Sequence, residues 1–298
     1  MTSAPAGTVH AEITSFTAAD GQNLALYDWH WPRHPRAVAL LVHGLGEHMG
    51  RYESVARRLT DWGLAVRGYD QYGHGASSGP RGGLSSDTRL LDDLADIVDA
   101  TRAHMARRHL QQRPLVLLGH SLGGLVAARF VALALRPVDA LVLSSPALDA
   151  GLNSIQKLLV ATLPRLAPNL RVGNGLRLAY LSHDPAVIAA YRTDPLVHDQ
   201  IAARLARFIA TAGPATVRAA PDWRVPTLLM WAGQDRLVNP SGSAAFAQAA
   251  PSNLVTARCF DAAYHELFNE PDSGPVFTLL QSWLGLQLRQ AEPPDIAA

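Results

Sequence analysis

Ser121, Asp235 and His265 are residues whose types and chain order fit one chemistry, the activation of a serine hydroxyl for acyl transfer. Gly119-His120-Ser121-Leu122-Gly123 follows the apolar run Leu115 to Leu118 and precedes the helical run Leu122 to Leu135. Strand, tight turn and helix is the setting in which a G-x-S-x-G turn exposes a serine hydroxyl. Side chains in place of Gly119 and Gly123 would collide with the neighbouring strand and helix. Ser121 then stands at a helix N-terminus, where unpaired N–H groups and the helix dipole favour developing negative charge. The plain alternative is an ordinary glycine-rich turn with an N-cap serine.

A serine needs a base to take its proton and a carboxylate to orient that base, here expected in the order Ser, Asp, His. Of the 12 histidines, only His183, His198 and His265 follow Ser121. His265, in Ala262-Ala-Tyr-His-Glu266 after the last strand candidate, is the predicted base, with activity rising through an apparent pKa of about 6 to 7. Asp235, in Gly233-Gln-Asp-Arg-Leu237, follows the run Thr227 to Trp231, at the strand end where open α/β sheets place their sites. It is preferred as the acid over Asp149. An oxyanion needs two convergent N–H donors, predicted at Leu122 and at Leu45 in His43-Gly44-Leu45-Gly46.

The elements that must position these residues are legible as apolar periods. Alternation in Glu12 to Phe16 and Leu24 to Trp29, around Asp20-Gly21, predicts a β-hairpin. Ala37 to Val42, Leu64 to Val66, Leu115 to Leu118, Ala140 to Leu143, Thr227 to Trp231 and Leu254-Val255 are short apolar runs of the kind buried on both faces of a parallel sheet. Between them, Tyr52, Val55, Leu59 and Trp62 share one helical stripe, as do Leu90, Leu94, Ile97, Thr101 and Met105. The alternation predicts an α/β fold with a mostly parallel central sheet and helices on both faces. Gly151 to Ala220 breaks the rhythm and reads as a helical insertion without a strand. It carries eight basic and three acidic residues, a net +5, against −4 for the rest.

With 26 basic and 25 acidic residues among 298, the chain lacks the footprint of a nucleic-acid binder, and none is expected as a partner. Its 48% hydrophobic content suits a folded core. Met1 to Glu12 show no secretory leader, and no segment is apolar enough to span a bilayer, so a cytoplasmic protein is expected. The single cysteine, Cys259, excludes an internal disulfide and reads as a small core residue. A metal site at His43, Glu47 and His48 fails because Gly44 and Gly46 interrupt any helix, so no metal is expected. Gly44, Gly46 and Gly50 with Asp70 outline a dinucleotide fingerprint of non-standard spacing, with Glu47 misplaced in the pyrophosphate loop and the Ser121 set unexplained.

His43-Gly-Leu-Gly-Glu-His48 with Arg51-Tyr52, Gly119-His-Ser-Leu-Gly-Gly124, Asp194-Pro195, Asp235-Arg236 and Tyr264-His265 together resemble the monoacylglycerol lipase family of α/β-hydrolases, from about Glu12 to Leu284. The resemblance implies an α/β-hydrolase core at 11–147 and 221–288 and a helical cap at 148–220, while the polar, Pro-containing ends at 1–10 and 290–298 are expected to fray. It implies a serine esterase that hydrolyses a single-acyl lipid, a monoacylglycerol, to fatty acid and glycerol through an acyl-enzyme, without a cofactor. Lysophospholipases and carboxylesterases share these motifs and form the alternative. By the same resemblance Glu47 and Arg51 line the polar end of the pocket and Tyr191 contacts the glycerol hydroxyls, although Glu47 and Arg51 equally suit a structural ion pair. Within the cap, Leu152, Ile155, Leu158, Leu159 and Leu163 make an apolar stripe beside Lys157, Arg165 and Arg171. The expectation is that Ile155 and Leu159 wall an acyl channel and that the cap rests peripherally on a lipid surface, packing onto the body being the alternative.

Overall fold

The computed structural model describes residues 10–152 and 154–290, except the side chains of residues 154, 155, 157, 159 and 290. Strands β1 (Glu12–Thr17) and β2 (Asn23–Asp28) form the expected hairpin, turning at Gly21 with φ +83°. They join β3 (Val38–Val42), β4 (Ala65–Tyr69), β5 (Leu115–His120) and β6 (Ala140–Ser144) in one sheet. After a short ribbon of β7 (Arg171–Gly173) and β8 (Gln200–Ala202), that sheet is completed by β9 (Thr227–Ala232) and β10 (Val255–Phe260). Its order is β1-β2-β4-β3-β5-β6-β9-β10, parallel from β4 to β10.

Every residue of β3, β4, β5 and β6 is buried, which is why these strands read as apolar runs rather than alternations. On β3, Val38, Leu40 and Val42 enter a core shared with α2 (Arg89–Arg107) and α3 (Leu122–Ala132). Ala39 and Leu41 face the opposite core, with α1 (Glu53–Asp61) and, at the C-terminus, a helix over Gly274–Gln290.

The boundaries depart from expectation where charge or exposure interrupts an apolar run. β4 continues through Arg67, which is buried because its guanidinium binds both Asp28 carboxylate oxygens at 2.8 and 2.7 Å. β10 runs on to Phe260 as an edge strand with an exposed middle, so Cys259 is half-buried rather than a core residue. α3 ends at Ala132, before a positive φ of 49° at Ala134.

The insertion is helical, as expected, with α4 (Ser154–Leu166), α5 (Pro185–Thr193) and α6 (Ala203–Ala219), but it also contains the β7/β8 pair. Three-residue strands carry too few side chains to show a period. Leu205, Phe208 and Ala212 of α6 enter the main core beside α3 and α7 (Ser241–Ala249); the terminal helix over Gly274–Gln290 is α8.

Candidate active site

Ser121 sits between β5 and α3 with φ 53° and ψ −118°, a region that L-residues avoid and that holds only when surrounding structure imposes it. Here its N–H donates to Ser144 O at 3.0 Å, and its carbonyl accepts from Leu125 and Ala147 N–H, each at 3.0 Å. The glycines do what the turn requires. A Cβ on Gly119 would run into the Gly123 carbonyl, and one on Gly123 into the carbonyls of Val42 and His43. Strand, turn and helix therefore meet backbone to backbone.

His265 lies in the loop after β10, and its Nδ1 is 2.6 Å from Asp235 Oδ2. Asp235 follows β9, and its Oδ1 accepts from Leu237 and Val238 N–H, each at 2.9 Å. Burial would raise the Asp235 pKa, but the His265 charge, their hydrogen bond and the two amides hold the carboxyl below its ordinary value. An ionised carboxylate at Nδ1 requires the proton on that nitrogen and leaves Nε2 to accept. Burial alone would lower the His265 pKa, yet Asp235 raises it above the ordinary imidazole value. The shift moves the expected acid limb of activity upward, toward higher pH. Asp149 is engaged elsewhere, accepting from Gly151 N–H and Asn239 Nδ2 at 2.8 Å and from Ser241 Oγ at 3.1 Å.

Ser121 and His265 line one cavity of about 170 Å³ together with Leu45 and Leu122. Leu122 opens α3, so its N–H has no partner within the helix. The turn bearing Leu45 is fixed from behind. Gln71 N–H donates to His43 Nε2 at 2.9 Å, His43 Nδ1 donates to Gly44 O at 2.8 Å, and Gln71 Nε2 donates to His43 O at 2.7 Å. Burial pushes the His43 pKa down, keeping the ring neutral.

The polar part of the lining is Glu47, His120, Asn174, Tyr191 and Glu266; Leu152, Val160, Leu176, Ile201, Ile209 and Val238 supply apolar wall. Tyr191 is buried with its ring under the Arg51 guanidinium at 4.7 Å. Arg51 itself lies outside this cavity, lining a small adjoining one and bridging Glu47 and Glu266. The side chains of Ile155 and Leu159 are outside the described residues, while Leu152 and Val160 from the same stretch face the cavity.

Three contacts around the site were not read from the sequence. The His120 ring lies 4.8 Å from that of His265, tilted by 56°, and its pKa falls to about 4 through burial and the neighbouring imidazole, so it stays neutral beside His265. Glu266 follows His265 directly, but only the fold brings it to Arg51, 215 residues away. His48 Nε2 meets Asp194 Oδ2 at 2.8 Å, tying the turn after β3 to the insertion.

A strained serine after the central parallel strand, with an imidazole and a carboxylate on the loops after β10 and β9, defines a serine hydrolase of the α/β-hydrolase class. A family model described as serine aminopeptidase, S33, matches residues 33–272, and the chain belongs to that family. It is 33% identical over 273 residues to a monoacylglycerol lipase of Mycolicibacterium smegmatis, spanning 91% of this chain and 95% of that protein. It is 31% identical over 254 residues to phospholipase YtpA of Bacillus subtilis, spanning 84% and 95%. Among solved structures, the monoacylglycerol lipase of Paleococcus ferrophilus superposes with a TM-score of 0.77 at 29% identity, spanning 93% of this chain and 99% of that one.

Proposed function

We propose that this enzyme hydrolyses monoacylglycerols by acyl transfer to Ser121. His265 Nε2 takes the hydroxyl proton as Ser121 Oγ attacks the ester carbonyl, and Asp235 stabilises the resulting imidazolium. The N–H groups of Leu45 and Leu122 receive the oxyanion. Collapse expels glycerol with the proton from His265; water, deprotonated by the same imidazole, then releases the fatty acid and restores Ser121. No cofactor enters the scheme.

The observation that carries this reading is the 2.6 Å bond from Asp235 to His265, with that imidazole and Ser121 opening on one largely apolar cavity. An acyl chain gains about 0.8 kcal/mol for each buried CH₂, so the apolar wall suits a long chain. Tyr191, on the polar part of the lining, is assigned to the glycerol hydroxyls. Residues 148–220 are assigned as a cap, with α4 and β7 as the part that meets lipid. Leu158, Leu166, Leu170 and Val172 are exposed there beside Arg165 and Arg171, the combination that binds an anionic interface. No helix among the described residues is long and apolar enough to cross a membrane. The likeness to a phospholipase favours lysophospholipids as the second substrate class.

The test is a turnover panel of monoacyl-, diacyl- and triacylglycerols, lysophospholipids and simple esters with the purified protein. Monoacylglycerols are expected to give the highest kcat/KM. A preference for lysophospholipids moves the assignment to the second class, and turnover of none of these esters rejects it.

A further inference from the structure

We propose that Glu47, Arg51 and Glu266 form a buried positioning bridge that holds the oxyanion turn in register with the base His265. The inference rests on the roles given above to Leu45, Ser121 and His265. Glu47 is 3% exposed and Glu266 5%. Glu47 Oε1 accepts from the Gly44 N–H at 2.6 Å and from the Tyr52 hydroxyl at 2.8 Å, and its Oε2 pairs with Arg51. The Arg51 guanidinium continues to Glu266, donating from Nη1 to Oε1 at 2.7 Å and from Nη2 to Oε2 at 2.9 Å. Asn269 Nδ2 also donates to Glu266 Oε2 at 2.8 Å, and the Glu266 N–H is anchored on Leu181 O, also at 2.8 Å. A line of charge-assisted bonds thus runs from the amide beside Leu45 to the residue following His265.

The geometry explains why such a bridge bears on rate. A Cβ on Gly44 would lie 2.8 Å from Glu47 Oε1 and 3.2 Å from Ser121 Cβ, so this turn is packed directly between the carboxylate and the serine. Glu47 holds the His43–Gly44 peptide, so moving it shifts Gly44, and with it the start of the Leu45 turn, relative to Ser121. Oxyanion donors act only when preset at the position the charge will occupy, and small misplacements are costly. Three charges withdrawn from water contribute little net stability, since an apolar replacement of equal volume is often neutral or stabilising. Their directional, bidentate geometry is what apolar packing cannot supply. Both terminal nitrogens of Arg51 are committed to carboxylates, and Arg51 lies outside the cavity that Ser121 and His265 line, which argues against direct contact with glycerol.

The experiment compares Glu47→Gln, Glu47→Ala, Arg51→Met and Glu266→Gln on p-nitrophenyl butyrate, which has no glycerol, and on a monoacylglycerol. Each variant is also titrated with a trifluoromethyl ketone, which forms a tetrahedral oxyanion on an active serine. Deleting an oxyanion donor outright costs about 10²–10³ in kcat, so displacing one is expected to cost about 10- to 100-fold in Glu47→Ala and Arg51→Met. KM stays within about 3-fold on both substrates, and ketone affinity falls in parallel with kcat/KM. Glu47→Gln retains an acceptor for Gly44 and Tyr52 and is expected to recover most of the loss suffered by Glu47→Ala.

Loss confined to KM for the monoacylglycerol would overturn the bridge in favour of substrate contact. Unchanged kcat in Glu47→Ala and Arg51→Met, whatever their melting temperatures, would overturn it in favour of a purely structural ion cluster. Failure of the underlying triad is distinguished by Ser121→Ala, which would then retain wild-type turnover of the same butyrate ester.

Discussion

Replacing Asp235 by Asn changes one oxygen to an amide and leaves the shape intact, so its consequence follows from hydrogen-bond polarity. Asp235 Oδ1 accepts two backbone N–H groups at 2.9 Å, and Oδ2 faces His265 Nδ1 at 2.6 Å. An asparagine keeps the two amide bonds only by pointing its Oδ1 at Leu237 and Val238, which turns its NH₂ toward His265. The reversed orientation sets NH₂ against two N–H donors. At about 1–3 kcal/mol for each buried hydrogen bond left unmade, it lies about 2–6 kcal/mol higher. The first orientation therefore dominates, and His265 Nδ1 must become the acceptor. The ring proton moves to Nε2, the nitrogen that has to take the Ser121 proton. The equivalent change in a serine protease triad costs about 10⁴ in kcat, and a loss of about 10³ to 10⁴ is expected here with KM within a few-fold. Steady-state hydrolysis of p-nitrophenyl butyrate, with melting temperature as the folding control, is sufficient to read it. Asp149→Asn is the matched control, because Asp149 serves the Gly151, Asn239 and Ser241 contacts and makes none with His265, so its rates should stay close to wild type whatever the change in melting temperature. Near-wild-type activity in Asp235→Asn, with loss in Asp149→Asn, would refute the reasoning.

Ser121→Ala should lower kcat by roughly 10³ to 10⁶ with the fold unchanged by circular dichroism, and activity within tenfold of wild type would remove Ser121 as nucleophile. Because Asp235 raises the His265 pKa and the base works only when neutral, kcat/KM should be full at high pH and fall as pH drops through the raised imidazole pKa; a profile from pH 5 to 9 whose midpoint lies below the ordinary imidazole value contradicts this. Tyr191→Phe should slow monoacylglycerol hydrolysis about 2- to 12-fold more than that of a simple ethyl ester, the worth of one hydrogen bond, and equal slowing returns Tyr191 to a packing role. Gly123→Ala should lower stability by about 1–3 kcal/mol in a denaturant titration, since its methyl group meets the carbonyls of Val42 and His43; an unshifted midpoint would mean that the elbow is less tightly packed than described.

The order Ser121, Asp235, His265 was legible because each residue follows an apolar run, and parallel strands deliver their C-terminal ends to one edge of the sheet. Strand length was harder to see where a charge interrupts the run. Arg67 looks like the end of a strand until its bidentate contact with Asp28 is known, and Asp28 lies on a neighbour that only the tertiary pairing supplies. The β7/β8 ribbon was hidden for a different reason, since its pairing joins residues about thirty apart in a segment whose composition favours helix. Glu47 and Arg51 are placed together by the family resemblance, which offers them to the polar end of the pocket or to an ion pair. Their partner Glu266 is not, since no local pattern connects it to them. His120 carried no signal apart from its place in the elbow, and its neutral state arises from burial against His265.

The central claim is that Ser121 is the nucleophile of an ester-hydrolysing relay, and covalent labelling tests it most directly. Incubation with an alkyl fluorophosphonate followed by intact-protein and peptide mass spectrometry should show one equivalent of label, located on Ser121, with activity lost in the same proportion. The label should be absent from Ser121→Ala and slowed at least 10²-fold in Asp235→Asn, in keeping with the tautomer argument. Label on another residue, or full labelling of Ser121→Ala, would contradict the account.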